Sequence, residues 1–146
     1  MVEPVGVVGS VIAIAGLAYH GSKKLYEALD RYQNAPKTLS SLRAELDIVQ
    51  QLLQSIGKNL ANTRDEDLPE ALQRCLQDFK PSLEGLKSSC DEFSEKLKKL
   101  TSRSTDSDMS KRDLFKLQFE EKSIEAFRYR LNSHKLSTNI ALGLIN

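Results

Sequence analysis

No formally charged residue occurs between Glu3 and Lys23. The intervening segment, PVGVVGSVIAIAGLAYHGS, is apolar on nearly every side of a helix as far as residue 19. A helix of that kind must be covered, either by other helices or by lipid. Crossing a bilayer takes about 20 apolar residues. Residues 4–22 fall just short and include Pro4, His20 and several glycines, so the segment is marginal as a permanent anchor. Gly6 with Ser10, and Gly9 with Ala13, are small residues four apart. Such pairs let helices approach closely in lipid, and they equally let a helix thread the crowded centre of a bundle. The bundle is the expected resting place. The two environments are compatible if the helix is buried at rest and exposed on activation.

The rest of the chain is built to supply that cover. The first helix starts near Pro4, a residue suited to the first helical turn. It turns amphipathic after Lys23, with Leu25, Leu29 and Tyr32 against Lys24, Glu27, Asp30 and Arg31. Asn34-Ala35-Pro36 ends it, because Pro36 restricts the residue before it. The second helix is expected from about residue 36 or 37 to residue 61. Leu39, Leu42, Leu46, Val49, Leu53, Ile56 and Leu60 alternate in steps of three and four, the signature of a helix-packing face. Ile48 and Leu52 widen that face. An acidic loop over residues 62–67 follows, with Asp67 placed to cap the next helix and Pro69 and Glu70 suited to its first turn.

The third helix is expected over residues 68–100. Its stripe is Leu72, Leu76, Phe79, Leu83, Leu86, Cys90, Phe93, Leu97 and Leu100. Pro81 interrupts it without changing the phase, so the helix should kink there rather than stop. Residues 101–110 read as a mobile polar loop. Ser110 and Asp113 resemble a capping box that opens a fourth helix. Its expected inner face is Leu114, Leu117, Ile124, Phe127, Leu131, Leu136, Ile140 and Leu144.

Four long helices with short connections define an all-α fold, an antiparallel up-down four-helix bundle occupying residues 1–146 as one domain. The closing Ile140-Ala-Leu-Gly-Leu-Ile carries no stop signal, as in the N-terminal part of a longer protein. That topology puts the 34–37 turn and the 101–110 loop at one end. Lys37, Lys96, Lys98, Lys99, Arg103, Lys111 and Arg112 gather there as candidate contacts for anionic lipid. The chain's N-terminus lies at the other end, so one tip cannot trivially be both landing surface and insertion point.

Composition excludes several functions. Lys+Arg total 21 against 20 Asp+Glu, a net charge of +1. No basic field of the kind nucleic-acid binders carry is present. Cys75 and Cys90 lie 15 residues apart on one helix, about 22 Å along its axis, beyond disulfide reach. They read as two buried thiols. The N-terminus does not read as a signal peptide, since its n-region holds Glu3 and neither Lys nor Arg. Gly16-Leu-Ala-Tyr-His-Gly21-Ser22-Lys23 superficially resembles a phosphate-binding loop, but Ser and Lys are transposed and no strand precedes it. His20 and His134 have no Cys, Asp or Glu at metal-ligand spacing. No catalytic constellation stands out, so neither an enzyme nor a cofactor is expected.

The opening helix, the LYEALDRYQNAPKTLSSLRAELDIVQQLLQSI block, the segment from Leu72 through Leu76 to Leu83 and the closing HKLSTNIALGLIN resemble the HeLo-like N-terminal domain of fungal STAND, or NLR-like, proteins. The most specific element is the Asn-Ala-Pro turn followed by a Leu-rich helix. The resemblance covers essentially the whole chain. It implies kinship with the HeLo domain of fungal incompatibility proteins and with the four-helix-bundle executioner of mammalian necroptosis.

Such domains are expected to permeabilise membranes and kill the cell, as in heterokaryon incompatibility and fungal innate immunity, once a downstream sensor or NLR domain makes them oligomerise. On this resemblance Val5, Gly6, Val8, Gly9, Val11, Ile12, Ala15, Gly16 and Tyr19 would form the membrane-insertion helix. The expected partners are membrane lipids on activation, other copies of the chain in the active homo-oligomer, and the downstream sensor. Nucleic acid is not expected. The expected location is the cytoplasm at rest and the plasma membrane when active. The competing expectation is a non-lytic adaptor or oligomerisation domain that binds a protein partner.

Overall fold

A computed structural model describes residues 6–105 and 107–145. The described residues are all-helical and contain no strand. Five α-helices follow one another: α1 (Val7–Asp30), α2 (Lys37–Leu60), α3 (Glu70–Leu100), α4 (Lys111–Phe119) and α5 (Glu121–Ile145). A 3-10 turn, Asp65–Asp67, precedes α3. The expected helix start at Pro4 lies outside the described residues.

The buried faces of α2 and α3 follow their leucine periodicity. Leu39, Leu42, Leu46, Val49, Leu53, Ile56 and Leu60 are all buried, as are Leu76, Phe79, Leu83, Leu86, Cys90, Phe93 and Leu97. The α3 helix runs unbroken through Pro81. It opens on Pro69 without a side-chain cap, so Asp67 does not have the capping role expected of it. Gln73 closes the preceding turn instead, donating to the carbonyls of Asp65 (2.7 Å) and Leu68 (3.1 Å). Ile48 is exposed and Leu52 half-buried, so the face of α2 is narrower than expected.

Helix α1 packs on α2 and α3, and α5 packs on the same two helices. Named contacts give the register. Tyr19 on α1 meets Gln54 on α2, and Asp30 pairs with Arg43. Ser22 on α1 lies 3.8 Å from Cys90 on α3. Arg128 on α5 donates to Glu45 on α2 at 2.9 Å, and His134 meets Ser82 on α3 at 3.2 Å. Phe93 and Phe127 stack between α3 and α5, with centroids 4.6 Å apart. Aromatic pairs of this kind add about 0.5–1.5 kcal/mol beyond the area they bury.

The expected fourth helix is divided. Glu120 leaves helical geometry between α4 and α5, and its carboxylate accepts from Lys96 of α3 at 2.7 Å. That bond, with a further one from Ser123, holds the Glu120 carboxyl below its usual range. The inner face of α5 also departs from expectation. Leu136, Ile140 and Leu144 are exposed, and Thr138 and Ala141 are buried. Buried positions keep the helical phase, advancing from Leu131 by seven and then three residues to Thr138 and Ala141. Leu136 is five residues beyond Leu131, which turns it about 140° away from the core. Of the two cysteines only Cys90 is buried; Cys75 is exposed.

Candidate functional site

The apolar helix is sheathed on one side only. Val8, Val11, Ala15 and Ala18 are buried, and the contact continues through Ser22, Leu25 and Leu29. Each fully buried Val or Leu contributes about 1.5–3 kcal/mol. Gly9, Ile12, Gly16 and Tyr19 are half-buried, Gly6 is exposed, and Val5 lies outside the described residues. Ala13 is exposed and Leu17 is 52% exposed. The helix is therefore not surrounded as its composition suggested, because it touches two neighbours and turns an uncharged strip outward. Among the described residues no helix is long and apolar enough to cross a membrane.

The glycines of α1 do unequal jobs. A Cβ on Gly16 would meet nothing within 4 Å, so close helix packing does not require that glycine. A Cβ on Gly21 would sit 3.8 Å from the Cβ of Cys90, in ordinary contact. A Cβ on Gly6 would overlap the carboxylate of Asp65. Asp65 has a role that nothing in its own stretch of sequence announces. Its Oδ2 accepts from the Val7 N–H at 2.8 Å and its Oδ1 from the Val8 N–H at 3.0 Å. The first N–H groups of a helix have no partner within it, and Gly6 has no side chain to offer one. An acid from the 62–67 loop thus caps α1 from more than 50 residues away and complements its dipole.

Buried polar atoms fasten the middle of the helix. Ser22 Oγ donates to the Ala18 carbonyl at 2.8 Å and sits against Cys90 Sγ. Burial pushes the Cys90 thiol up to about 11, with a small opposing effect from Ser22. It is an inert packing group rather than a nucleophile.

At the other end the 34–37 turn and the 101–110 loop do meet. Met109 N–H donates to Asn34 Oδ1 at 2.7 Å, Asn34 Nδ2 donates back to the Met109 carbonyl at 3.0 Å, and Gln33 N–H donates to the Ser107 carbonyl at 2.8 Å. The described residues of the loop, expected to be mobile, are tied at several points. Buried Asp113 Oδ2 accepts from Ser104 Oγ at 2.6 Å and from the Arg103 N–H at 3.0 Å. Ser110 Oγ accepts from the Asp113 N–H at 3.1 Å, the expected cap of α4.

Burial alone would raise the Asp113 carboxyl. The bonds from Ser104, Arg103 and Ser110, helped by Lys116, outweigh it and hold the carboxyl below its usual range. A carboxyl lowered by folding contributes stability above its unfolded value, about 4, and loses it as pH falls through the lower folded value. Amide exchange at residues 103–105 and 107–110 should therefore accelerate below about pH 4 before the α2–α3 core opens. Asp113→Asn should remove that pH step.

The candidate lipid contacts are of two kinds. Lys37, Lys98, Lys99, Arg103, Lys111 and Arg112 are exposed. Lys96 is committed to Glu120 and to Ser123 at 2.8 Å, so it is not free for a headgroup. Beside Lys98 a cavity of about 540 Å³ opens between α1 and α3, but Glu27 and Glu95 line it together with Lys24 and Arg31. Its charge is mixed.

Two exposed aromatics, Phe115 and Phe119, stand at this end on α4. Their four-residue spacing marks a common face in the sequence, on a helix whose inward phase belongs to Leu114 and Leu117.

No curated protein and no solved structure is significantly similar to the chain. Residues 2–146 match the family described as pigment biosynthesis cluster protein PigL N-terminal, and the chain belongs to that family.

Proposed function

We propose that this chain is a HeLo-like, antiparallel up-down four-helix-bundle domain whose α1 leaves the bundle and enters a bilayer when copies of the domain are brought together. In this reading it is the N-terminal part of a longer protein, a non-enzymatic cell-death effector under the control of a downstream NLR-like sensor. It rests in the cytoplasm and acts at the plasma membrane. The observation that carries the reading is the state of α1. It is a helix without a charge before Lys23, packed chiefly on α2 and α3, with Leu17 already facing outward and its first turn held by a detachable acid, Asp65. Core and lipid can both satisfy Val8, Val11 and Ala15, and two destinations of similar energy are what a switch requires. The family's description as an N-terminal region favours a domain followed by others.

The exposed face of Leu136, Ile140 and Leu144 on α5 favours a second reading. Apolar faces of this kind serve adaptors that bind a protein partner. Dye release from liposomes separates the two. The chain, as monomer and as forced oligomer, should release dye from vesicles containing phosphatidylserine, and the oligomer should do so at lower concentration. No release by the oligomer at any concentration would leave the adaptor.

A further inference from the structure

Phe115 is 60% exposed and Phe119 is 75% exposed, and their rings pack edge to face 5.0 Å apart. Burying them in the protein was open to the fold, since Leu114 and Leu117 on the same short helix turn inward. Two bare phenylalanines one turn apart form a contiguous apolar knob, a feature that monomeric surfaces seldom carry without use.

The charges around the knob are one-sided. Lys111 and Arg112 lie one turn before Phe115, Lys116 lies three residues before Phe119, and Lys122 lies three residues after it. Two of the nearby acids are withdrawn, Asp113 by burial and Glu120 by pairing with Lys96, and exposed Glu121 lines the groove that α4 shares with Lys37. Exposed aromatics ringed by Lys and Arg match the interface of an anionic bilayer, where rings sit at headgroup depth and bases meet phosphates and carboxylates.

We infer that α4 is the lipid-docking element of this domain, with Phe115 and Phe119 entering the interface of an anionic bilayer and Lys111, Arg112 and Lys122 holding its headgroups. This rests on the membrane reading above and adds a step to it, in which contact through α4 is distinct from any movement of α1. The patch is narrower than the basic end as a whole, because it excludes Lys96 and centres on aromatic residues.

Co-sedimentation with vesicles measures docking separately from dye release. The chain should bind vesicles of phosphatidylcholine with phosphatidylserine and bind pure phosphatidylcholine far more weakly. Phe115→Ser with Phe119→Ser should lower partitioning at least about tenfold, and Lys111→Glu with Arg112→Glu should lower it by a similar factor. Circular dichroism should be unchanged in both, since all four residues are exposed. Docking through α4 with no dye release would uphold this inference and sink the lytic function. Release that persists with wild-type partitioning in the Phe variant would do the reverse. A wild-type chain that sediments with neither vesicle overturns both. Lipid-free self-association that the Phe variant abolishes would overturn the docking role and make the knob a contact between copies.

Discussion

Oxidised Gly21→Cys should not permeabilise liposomes, and adding a reductant should restore release. A Cβ at position 21 would lie 3.8 Å from that of Cys90, the mean separation across a disulfide. The bond would staple the middle of α1 to α3. It would close a loop of nearly half the chain, which corresponds to about 4 kcal/mol in the chain-entropy account and a rise of roughly 10 °C in Tm. The Cys90 thiol sits at about 11, so it supplies almost no thiolate at neutral pH. The introduced thiol must be activated first, by diamide for example. Exposed Cys75 should be replaced by Ser beforehand, to prevent cross-linking between copies. If the oxidised monomer releases dye as fast as the reduced one, α1 does not need to part from α3, and the release mechanism is wrong.

The second large effect concerns the acid that caps α1. Asp65→Ala removes the acceptor of both the Val7 and the Val8 N–H. Loss of a cap costs about 0.5–2 kcal/mol, and loss of a negative charge at a helix N-terminus adds about 0.3–1 kcal/mol. At about 2 kcal/mol together, the population with an open first turn should rise roughly thirtyfold. Amides of the first turns of α1 should exchange faster by that factor, and dye release should begin at lower protein concentration. Gly6→Ala should act the same way, since its methyl displaces the Asp65 carboxylate. The double variant should be no worse than Asp65→Ala alone, because the three atoms nearest the added methyl all belong to the Asp65 carboxylate. Unchanged exchange and release in Asp65→Ala would show that this contact is decorative.

The cores of α2 and α3 were legible because in them residue type and helical phase agree. Every leucine at a buried phase, from Leu39 to Leu60 and from Leu76 to Leu97, is buried. In α5 the two cues conflict. Phase assigns the interior to Thr138 and Ala141, whereas apolar character points to Leu136, Ile140 and Leu144. The Thr138 hydroxyl is tolerated there because it donates to the His134 carbonyl at 2.7 Å. The face that α1 turns outward could not be read, since a helix apolar all round carries no phase at all. Asp65 was illegible for another reason. Its partners are the backbone of a distant segment, and backbone groups leave no mark in a sequence. The placement of Arg103, Ser104 and Met109 depends in the same way on the buried carboxylate of Asp113 and the side-chain amide of Asn34.

The reciprocal bonds between Asn34 and Met109 bear on how far the first helix can travel. They clamp the residues that follow α1, whereas its leading end is held chiefly by packing and one carboxylate. A rod freed at Gly6 but clamped at Asn34 can only swing. With 24 residues, its reach is about 36 Å, of which the uncharged part before Lys23 makes up about 24 Å, enough to enter the hydrocarbon layer of a bilayer, about 30 Å thick, but not to cross it. In the proposed release the pivot would lie at the same tip as the basic residues and the phenylalanine pair, so a half-turn would carry the free end from the far pole to a point beyond that tip. The separation between landing surface and insertion point then ceases to be an obstacle and becomes the length of the lever.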